Sequence, residues 1–545
     1  MEFTILICAV IIIVCIAANK ISMRFGVPTL LLFIVLGMLF GSDGIFKIPF
    51  DNYGFAGDVC SIALIFIMFY GGFGTNWKAA RPVAGKAVLL STAGVVLTAA
   101  FTGLFCYLVL RMEVLESFLI GSVISSTDAA SVFYILRSKK LNLKGGVASL
   151  LEIESGSNDP IAYLLVMVVL SLMSGPGGGS VWYLLFSQIV YGGAIGFAVA
   201  VLGVWVLQKV DFKDSGIDTI FVVGIALLAY AMPAVIGGNG YLSVYICGII
   251  LGNSKIMNKV PLVHFFDGVT NLMQIVVFFL LGLLSFPSQL PAILPISIAV
   301  ALFLTFVARP ATVFALLLPF RVPFRQQLLI SWAGLRGAAA IVFAIFITVS
   351  KVTTSNDIFH IVFCVSLLSV AFQGTLLPVL AKKWKLIDDT ETVLKTFNDY
   401  QDESDMTLVQ MYVCKTHLWN GKTLNEIKML SKSLIVMIKR DGDTMIPKGD
   451  TVIQEGDLLI ISCEKYQTGE DIQLTEIVID EAHPWKDLRL RDIAMPDGVL
   501  VMLIKRNGST VIPKGDTVVH EGDVLVLNSG ELPATMANAP VVGEA

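Results

Sequence analysis

Residues 151–160 read "LEIESGSNDP", and residues 161–173 continue as "IAYLLVMVVLSLM". Glu152, Glu154 and Asp159, with an amide, two serines and a proline, thus stand at the head of a run apolar enough to cross a bilayer, where ionisable groups are most costly. On a helix Ser155 and Asp159 share one face, and Glu154 and Asn158 share its neighbour. Pro160 has no N–H to give, so the carbonyl of Gly156 loses its helical partner and turns to other groups. Carboxylate, hydroxyl and released carbonyl are hard oxygen donors, a set suited to a cation stripped of water.

The surroundings fit that setting. Of 545 residues, 56% are hydrophobic and 15% charged, the composition of an α-helical polytopic membrane protein. A spanning helix needs about 20 mostly apolar residues. Thirteen windows of this kind run over 3–19, 28–42, 58–74, 85–110, 115–136, 147–173, 181–208, 217–236, 240–253, 269–285, 292–319, 326–349 and 357–381. The second and ninth are short, which predicts tilted, broken or reentrant pieces. With the N-terminus outside, inner segments collect eighteen Lys and Arg against three in outer ones, so the chain after residue 381 is expected in the cytoplasm. No basic segment precedes the first apolar run, which reads as a retained helix. The eight cysteines form no CxxC or His-Cys cluster, and a net charge of −4 gives no sign of nucleic-acid binding.

Further ionisable groups sit within windows: Asp128 in "ISSTDAAS" (124–131), Arg309, and Arg336 in "SWAGLRGAAA" (331–340). Serine, threonine and glycine make poor helix at both stretches, and each stretch lies in the middle window of a three-window group, fourth to sixth and eleventh to thirteenth. That placement predicts inverted repeats with two crossing, unwound helices. Arg309 before Pro310 reads as neutralising a helix end or a carboxylate, Glu152 as interfacial, and Asn239, Gln274 and Gln373 as satisfied bundle polars.

Beyond a membrane domain over 1–385 and an acidic linker over 386–410, the chain repeats itself. "IKRDGDTMIPKGDTVIQEGDLLII" from Ile438 and "IKRNGSTVIPKGDTVVHEGDVLVL" from Ile504 match without a gap, and the same shift of 66 residues carries His417 onto His483 and Trp419 onto Trp485. Short apolar runs split by DG, NG, PKGD and EGD turns predict two small α+β modules with hairpins, over 411–466 and 477–532, and a disordered tail over 533–545. "GPGGGS" at Gly175 has no strand before it, which argues against a dinucleotide site. The modules resemble the C-terminal RCK (TrkA-C-like) domain of potassium transport regulators. The resemblance implies regulatory domains that pair and bind a small ligand such as cyclic di-AMP.

"FDNYGFA" at Phe50, "STDAA" at Ser126, "LEIESGSNDP" at Leu151, "GYLSVYICGIILGN" at Gly240, "HFFDG" at His264 and "ISWAGLRGA" at Ile330 together resemble the CPA1 branch of bacterial cation/proton antiporters, of the NhaP and cell volume regulation protein A type. This resemblance implies that Asp159 binds ion and proton, with Asn158 beside it in the Asn-Asp pattern of electroneutral exchange. It implies that Asp128, Thr127 and Ser155 complete the site and that Glu154 pairs with Arg336 to brace it. Relatives often carry an acid where this chain has Tyr70. The implied protein is a homodimeric antiporter in the cell membrane, not an enzyme, exchanging K+, or Na+, for H+, with no cofactor and no metal beyond the transported cation. Two alternatives stay open: an intramembrane aspartyl protease using Asp128 and Asp159, which would lack its GxGD motif, and a cation channel, which would lack a TVGYG-like filter.

Overall fold

The computed structural model describes residues 2–25, 29–128, 131–132, 143–174, 180–210, 216–256, 259–350, 352–387, 406–415, 417–427, 429, 433–440, 443–464, 474–481, 483–493, 495, 500–506 and 509–528. The glycine-rich loop at 175–179, most of the acidic linker, Lys139 and Lys140, the last two residues of "STDAA" and the tail over 533–545 lie outside the described residues. The chain divides into two compact units, Met1–Asp402 and Glu403–Ala545.

The first unit is helical: α1 (Glu2–Phe25), α2 (Thr29–Phe40), α3 (Tyr53–Gly74), α4 (Trp77–Leu89), α5 (Val95–Leu108), α6 (Val114–Val123), α7 (Val147–Met173), α8 (Val181–Lys209), α9 (Ile217–Val235), α10 (Gly240–Asn253), α11 (Lys259–Leu283), α12 (Leu290–Phe303), α13 (Arg309–Leu317), α14 (Phe324–Trp332), α15 (Ala338–Val349), α16 (Ile358–Leu368) and α17 (Thr375–Lys383). Among the described residues eight helical segments are long and apolar enough to span a membrane and five shorter apolar helices accompany them, together one for each expected window. As expected, α2 and α10 are short. The other interruptions have local causes.

Single-turn π-helices at Leu90–Gly94 and Leu304–Ala308 join α4 to α5 and α12 to α13, and a third at Ser369–Gly374 joins α16 to α17. The fifth and twelfth windows are broken outright. α6 ends at Val123, α14 at Trp332, and neither 126–128 nor 334–337 is helical. The two three-window groups therefore share one plan. They also meet in opposite sense: Phe105 stacks on Phe303 with centroids 4.1 Å apart, and two turns away the hydroxyl of Thr98 lies 3.3 Å from that of Thr312.

Small residues close the helix contacts. A Cβ at Gly248 or Gly252 of α10 would strike the backbone of Phe69 or Phe73 in α3, and one at Gly37 of α2 the backbone of α11. Such close backbone approach replaces the hydrophobic drive that lipid does not supply. Leu386 and Ile387, assigned to the linker from sequence, pack with the membrane unit instead: Leu386 is buried, Lys144 N–H donates to its carbonyl at 2.9 Å, and Leu143 bridges Ile387.

The second unit holds two four-stranded antiparallel sheets. β1 (Met406–Tyr412), β2 (Leu434–Arg440), β3 (Asp443–Met445) and β4 (Leu458–Glu464) run in the order β1-β4-β2-β3. β5 (Leu474–Val478), β6 (Leu500–Arg506), β7 (Ser509–Val511) and β8 (Val524–Asn528) repeat that order as β5-β8-β6-β7. The repeat extends to detail. The register slips between Ile435 and Met437 in one sheet and between Val501 and Leu503 in the other. The EGD aspartates, Asp457 and Asp523, are buried and accept two hydrogen bonds each, from Arg440 and Arg506 respectively, at 2.6–2.8 Å. A 3-10 turn lies beside each sheet, at Leu424–Glu426 and Leu490–Asp492.

Candidate functional site

The two breaks face each other. Asp128 N–H donates to the carbonyl of Leu335 at 2.8 Å, so the unwound stretch after α6 hydrogen-bonds to the one before α15. Backbone groups released from helices are satisfied here across the crossing, as a dry interior demands. Arg336 donates through Nη1 to the carbonyls of Ser125 (2.8 Å) and Ser126 (2.7 Å), and its own N–H is held by Ser369 Oγ at 3.0 Å. A guanidinium thus caps the negative end of α6, while Asp128 lies against Gly337 at the positive start of α15. Each charge complements a helix dipole.

α7 presents the quoted motif to this crossing. Ser155 Oγ donates to the carbonyl of Thr127, Asn158 Nδ2 to Thr127 Oγ1, and the hydroxyl of Ser126 to a carboxylate oxygen of Asp159. Asp128 accepts from Ser131 N–H at 3.2 Å and from its hydroxyl at 2.5 Å. All five expected site residues, Asp159, Asp128, Thr127, Ser155 and Asn158, are therefore brought together by one set of contacts between α7 and the first break. Asp159 and Asp128 are half-buried, whereas Thr127, Ser155 and Asn158 are buried. Among the described residues Oδ1 of Asn158, a residue 1% exposed, has no hydrogen-bond partner.

The bracing pair is different from the one expected. Glu154 forms its ion pair with Arg309, not with Arg336; the two side chains are 1% and 3% exposed. The physical reason lies in the crossing: Arg336 is drawn to the carbonyls of Ser125 and Ser126, while Arg309, on α13 just past a π turn, enters from the paired helix. Arg336 stays within the electrostatic reach of both Glu154 and Arg309. Glu152, read as interfacial, is buried.

The sequence reading did not anticipate Ser126, which bonds Asp159, whereas Asn239 is the satisfied bundle polar expected: its Nδ2 donates to the carbonyl of Pro160 at 2.9 Å while its Oδ1 caps α10 through Leu242 N–H. It also missed that Ser369, itself donating to Gln373, positions Arg336. The carbonyl of Pro160 and the hydroxyl of Ser126 carry no distinctive sequence signal. The hydroxyl of Tyr70 donates to Asp267 at 3.2 Å.

A sodium/hydrogen exchanger transmembrane model matches residues 9–383, and a TrkA-C domain model matches 409–468 and 474–535. A K(+)/H(+) antiporter NhaP of Alkalimonas amylolytica is 38% identical over 387 residues, 71% of this chain and 67% of that protein. A K(+)/H(+) antiporter NhaP2 of Shewanella baltica is 32% identical over 450 residues, 82% of this chain and 78% of that protein. The solved sodium proton antiporter MjNhaP1 of Methanocaldococcus jannaschii at pH 8 superposes with a TM-score of 0.62 over 70% of this chain and 99% of its own, at 24% identity, a likeness of fold. With its helical unit matched almost end to end and two TrkA-C domains behind it, the chain belongs to the sodium/hydrogen exchanger family.

Proposed function

We propose that the protein is a secondary antiporter that exchanges a monovalent cation for H+ at Asp159 by alternating access, with K+ as the favoured cation. The observation that carries this reading is the meeting of two half-buried carboxylates, Asp159 and Asp128, with Thr127, Ser155 and Asn158, whose Oδ1 has no hydrogen-bond partner among the described residues, at a crossing of two broken membrane helices. A carboxylate crosses a low-dielectric barrier only when neutralised. Asp159 is neutral with a proton or with a bound cation, and an empty carboxylate is held back. Loaded carriers alone then move, which couples the two fluxes one for one and makes the exchange electroneutral. Thr127, Ser155 and Asn158 supply neutral oxygens for the dehydrated cation.

Asp128, Arg336 and the Glu154–Arg309 pair do not exchange their charges in this scheme; they hold the crossing rigid so that it moves as a body. The names of the two relatives, both K(+)/H(+) antiporters, favour K+, and the named sodium proton antiporter of the same fold makes Na+ the cation to compare. The basic residues gathered on one side support an N-terminus outside and a cytoplasmic tail. The TrkA-C modules then set the activity of a homodimer from the cytoplasm, through a small ligand such as a cyclic dinucleotide. The test is proton flux in proteoliposomes on addition of K+ or Na+. Exchange driven by K+ and abolished in Asp159→Asn, with that variant folded, supports the reading; wild-type exchange in Asp159→Asn removes Asp159 from the site.

A further inference from the structure

The end of the membrane unit away from the basic residues holds a histidine with both ring nitrogens engaged. His360, 2% exposed in the first turn of α16, is bonded through Nδ1 to Asp357 at 2.6 Å, and its Nε2 accepts the N–H of Phe286 at 3.2 Å. A backbone N–H can only donate, so Nε2 is the bare nitrogen and Nδ1 carries the proton, which it gives to the carboxylate. Phe286 lies in the connector 284–289, which passes from α11, packed on α2 and α3, to α12, packed on α16. The same connector is held twice more: the hydroxyl of Tyr53, at the start of α3, donates to the Leu284 carbonyl at 3.5 Å, and Ser288 donates through its N–H and its hydroxyl to Asp43. The Tyr53 ring also stands edge-on to Phe359 of α16 with centroids 5.3 Å apart, so α3 and α16 touch at this end. Further along, α16 runs into the π turn whose Ser369 holds Arg336 at the crossing.

A proton added to this ring goes to Nε2 and turns an acceptor into a donor that faces the donor of Phe286. The bond to Asp357 gains by the same event, because both of its members are then charged. The break therefore falls on one side only, between α16 and the connector. Asp357 is exposed, which puts the ring one side chain from the outer solution. The titratable groups around the ring are Asp357 and, one turn on, Cys364 from its own helix, with Tyr53 from α3, which stands within the electrostatic reach of Asp357 and Asp51. Glu116 of α6 is taken up by the N–H of Ser355 and the amide of Asn356, and neither the connector nor α12 brings an ionisable side chain. We propose that His360 is a latch that responds to outer pH. Neutral, it ties the connector to α16 and keeps the outer end shut; protonated, it releases the connector and favours the outward-open carrier that takes H+ at Asp159. The inference rests on the antiport reading above and on its orientation.

The experiment uses the full chain in right-side-out membrane vesicles loaded with K+, with exchange rates taken as the outer pH is lowered from about 8 to about 5 at fixed inner pH. The quantity read is the ratio of variant to wild-type rate, in which the role of H+ as a substrate cancels. His360→Asn keeps a donor for Asp357 but offers Phe286 no acceptor, so the latch stays released. Its ratio should be about 2–10 at the alkaline end, the worth of one hydrogen bond, and fall towards one as the outer solution is acidified. A scan of inner pH at fixed outer pH should leave the ratio constant, which a general structural defect would not do selectively. Asp357→Asn retains the helix cap and an acceptor for Nδ1–H but removes the charge that holds the imidazolium. Its ratio should be one at both ends of the outer range and below one between them, and this conservative variant decides the matter if His360→Asn does not fold. Ratios of one throughout the outer scan in the folded variants, or ratios that follow inner pH instead, overturn the latch. Absence of any exchange by the wild-type chain would instead sink the antiport reading.

Discussion

Glu154 is the residue whose partner decides how the centre is braced. Its ion pair with Arg309 is almost fully buried, and removing one member of such a pair leaves a charge that the interior cannot solvate. Arg309→Ala is therefore expected to cost about 3–5 kcal/mol of stability, and the Arg309→Gln/Glu154→Gln double variant to recover most of it. Arg336→Ala forfeits two bonds to carbonyls but leaves Glu154 paired, so it should unfold later than Arg309→Ala on a thermal ramp in detergent while losing more of its exchange rate. Equal melting of the two single variants would contradict this division of roles. Every ionisable residue of the centre was legible in the sequence, because a charge inside an apolar window has few innocent explanations. The pairing was not. Which arginine reaches Glu154 depends on how two helices from separate repeats cross, and no spacing along one chain records that.

At the scale of elements, the windows were readable from hydropathy and the two breaks from their serine, threonine and glycine content. The π turns were not, since one extra residue in a helical turn leaves no compositional trace. The crossing they frame is tight at Gly337, where a Cβ would fall inside the carboxyl group of Asp128. Gly337→Ala must push Asp128 or the start of α15 aside, and displacement of about an ångström at a reacting centre costs on the order of 100-fold. Exchange should fall by at least about tenfold with the protein still inserted, whereas Gly71→Ala, where nothing lies within 4 Å of the added carbon, serves as control. Unaltered exchange in Gly337→Ala would show that the crossing yields easily.

The tail sheets make a separate test. Burial pushes the carboxyl groups of Asp457 and Asp523 up, but the hydrogen bonds and charge of Arg440 and Arg506, with the N–H groups of Gln454 and His520, outweigh it and hold both below the usual carboxylate range. A depressed carboxyl stabilises the fold fully above its unfolded value of about 4, and that contribution is lost as pH falls through the folded value. Residues 403–545, followed by circular dichroism, should therefore hold stability steady around neutrality and lose it below about pH 4. Asp457→Asn should remove about 1–3 kcal/mol at neutral pH and flatten the acid limb; an unchanged limb would mean that these pairs are not what acid breaks.

For the whole molecule the question is what two soluble modules do for a membrane unit that already holds a complete candidate site. The duplication was plain in the sequence, down to the arginine and the aspartate that pair in each copy, because both modules kept the same turns at one spacing. Where the membrane unit ends was less plain: Leu386 and Ile387 look like linker but pack against it, since a buried leucine and one bridge give no signal against an acidic background. A truncation meant to isolate transport from control must therefore keep them, and deletion of 403–545 does so. If the tail regulates without forming the path, the truncated chain should still exchange, with its dependence on pH displaced. A ligand shifts such an equilibrium only by binding one state of the tail better than the other; about 5.5 kcal/mol of difference carries a two-state population from 1:99 to 99:1, and equal affinity moves nothing. The groups around Asp159 and Asp128 need not change their chemistry in either state, because only the fraction of competent carriers differs. Exchange measured against pH for both chains, with and without cyclic dinucleotides, separates the cases. A displaced curve that no longer responds to nucleotide establishes control by the tail, superimposable curves reduce the modules to a clamp, and loss of all exchange in a folded truncation makes them part of assembly.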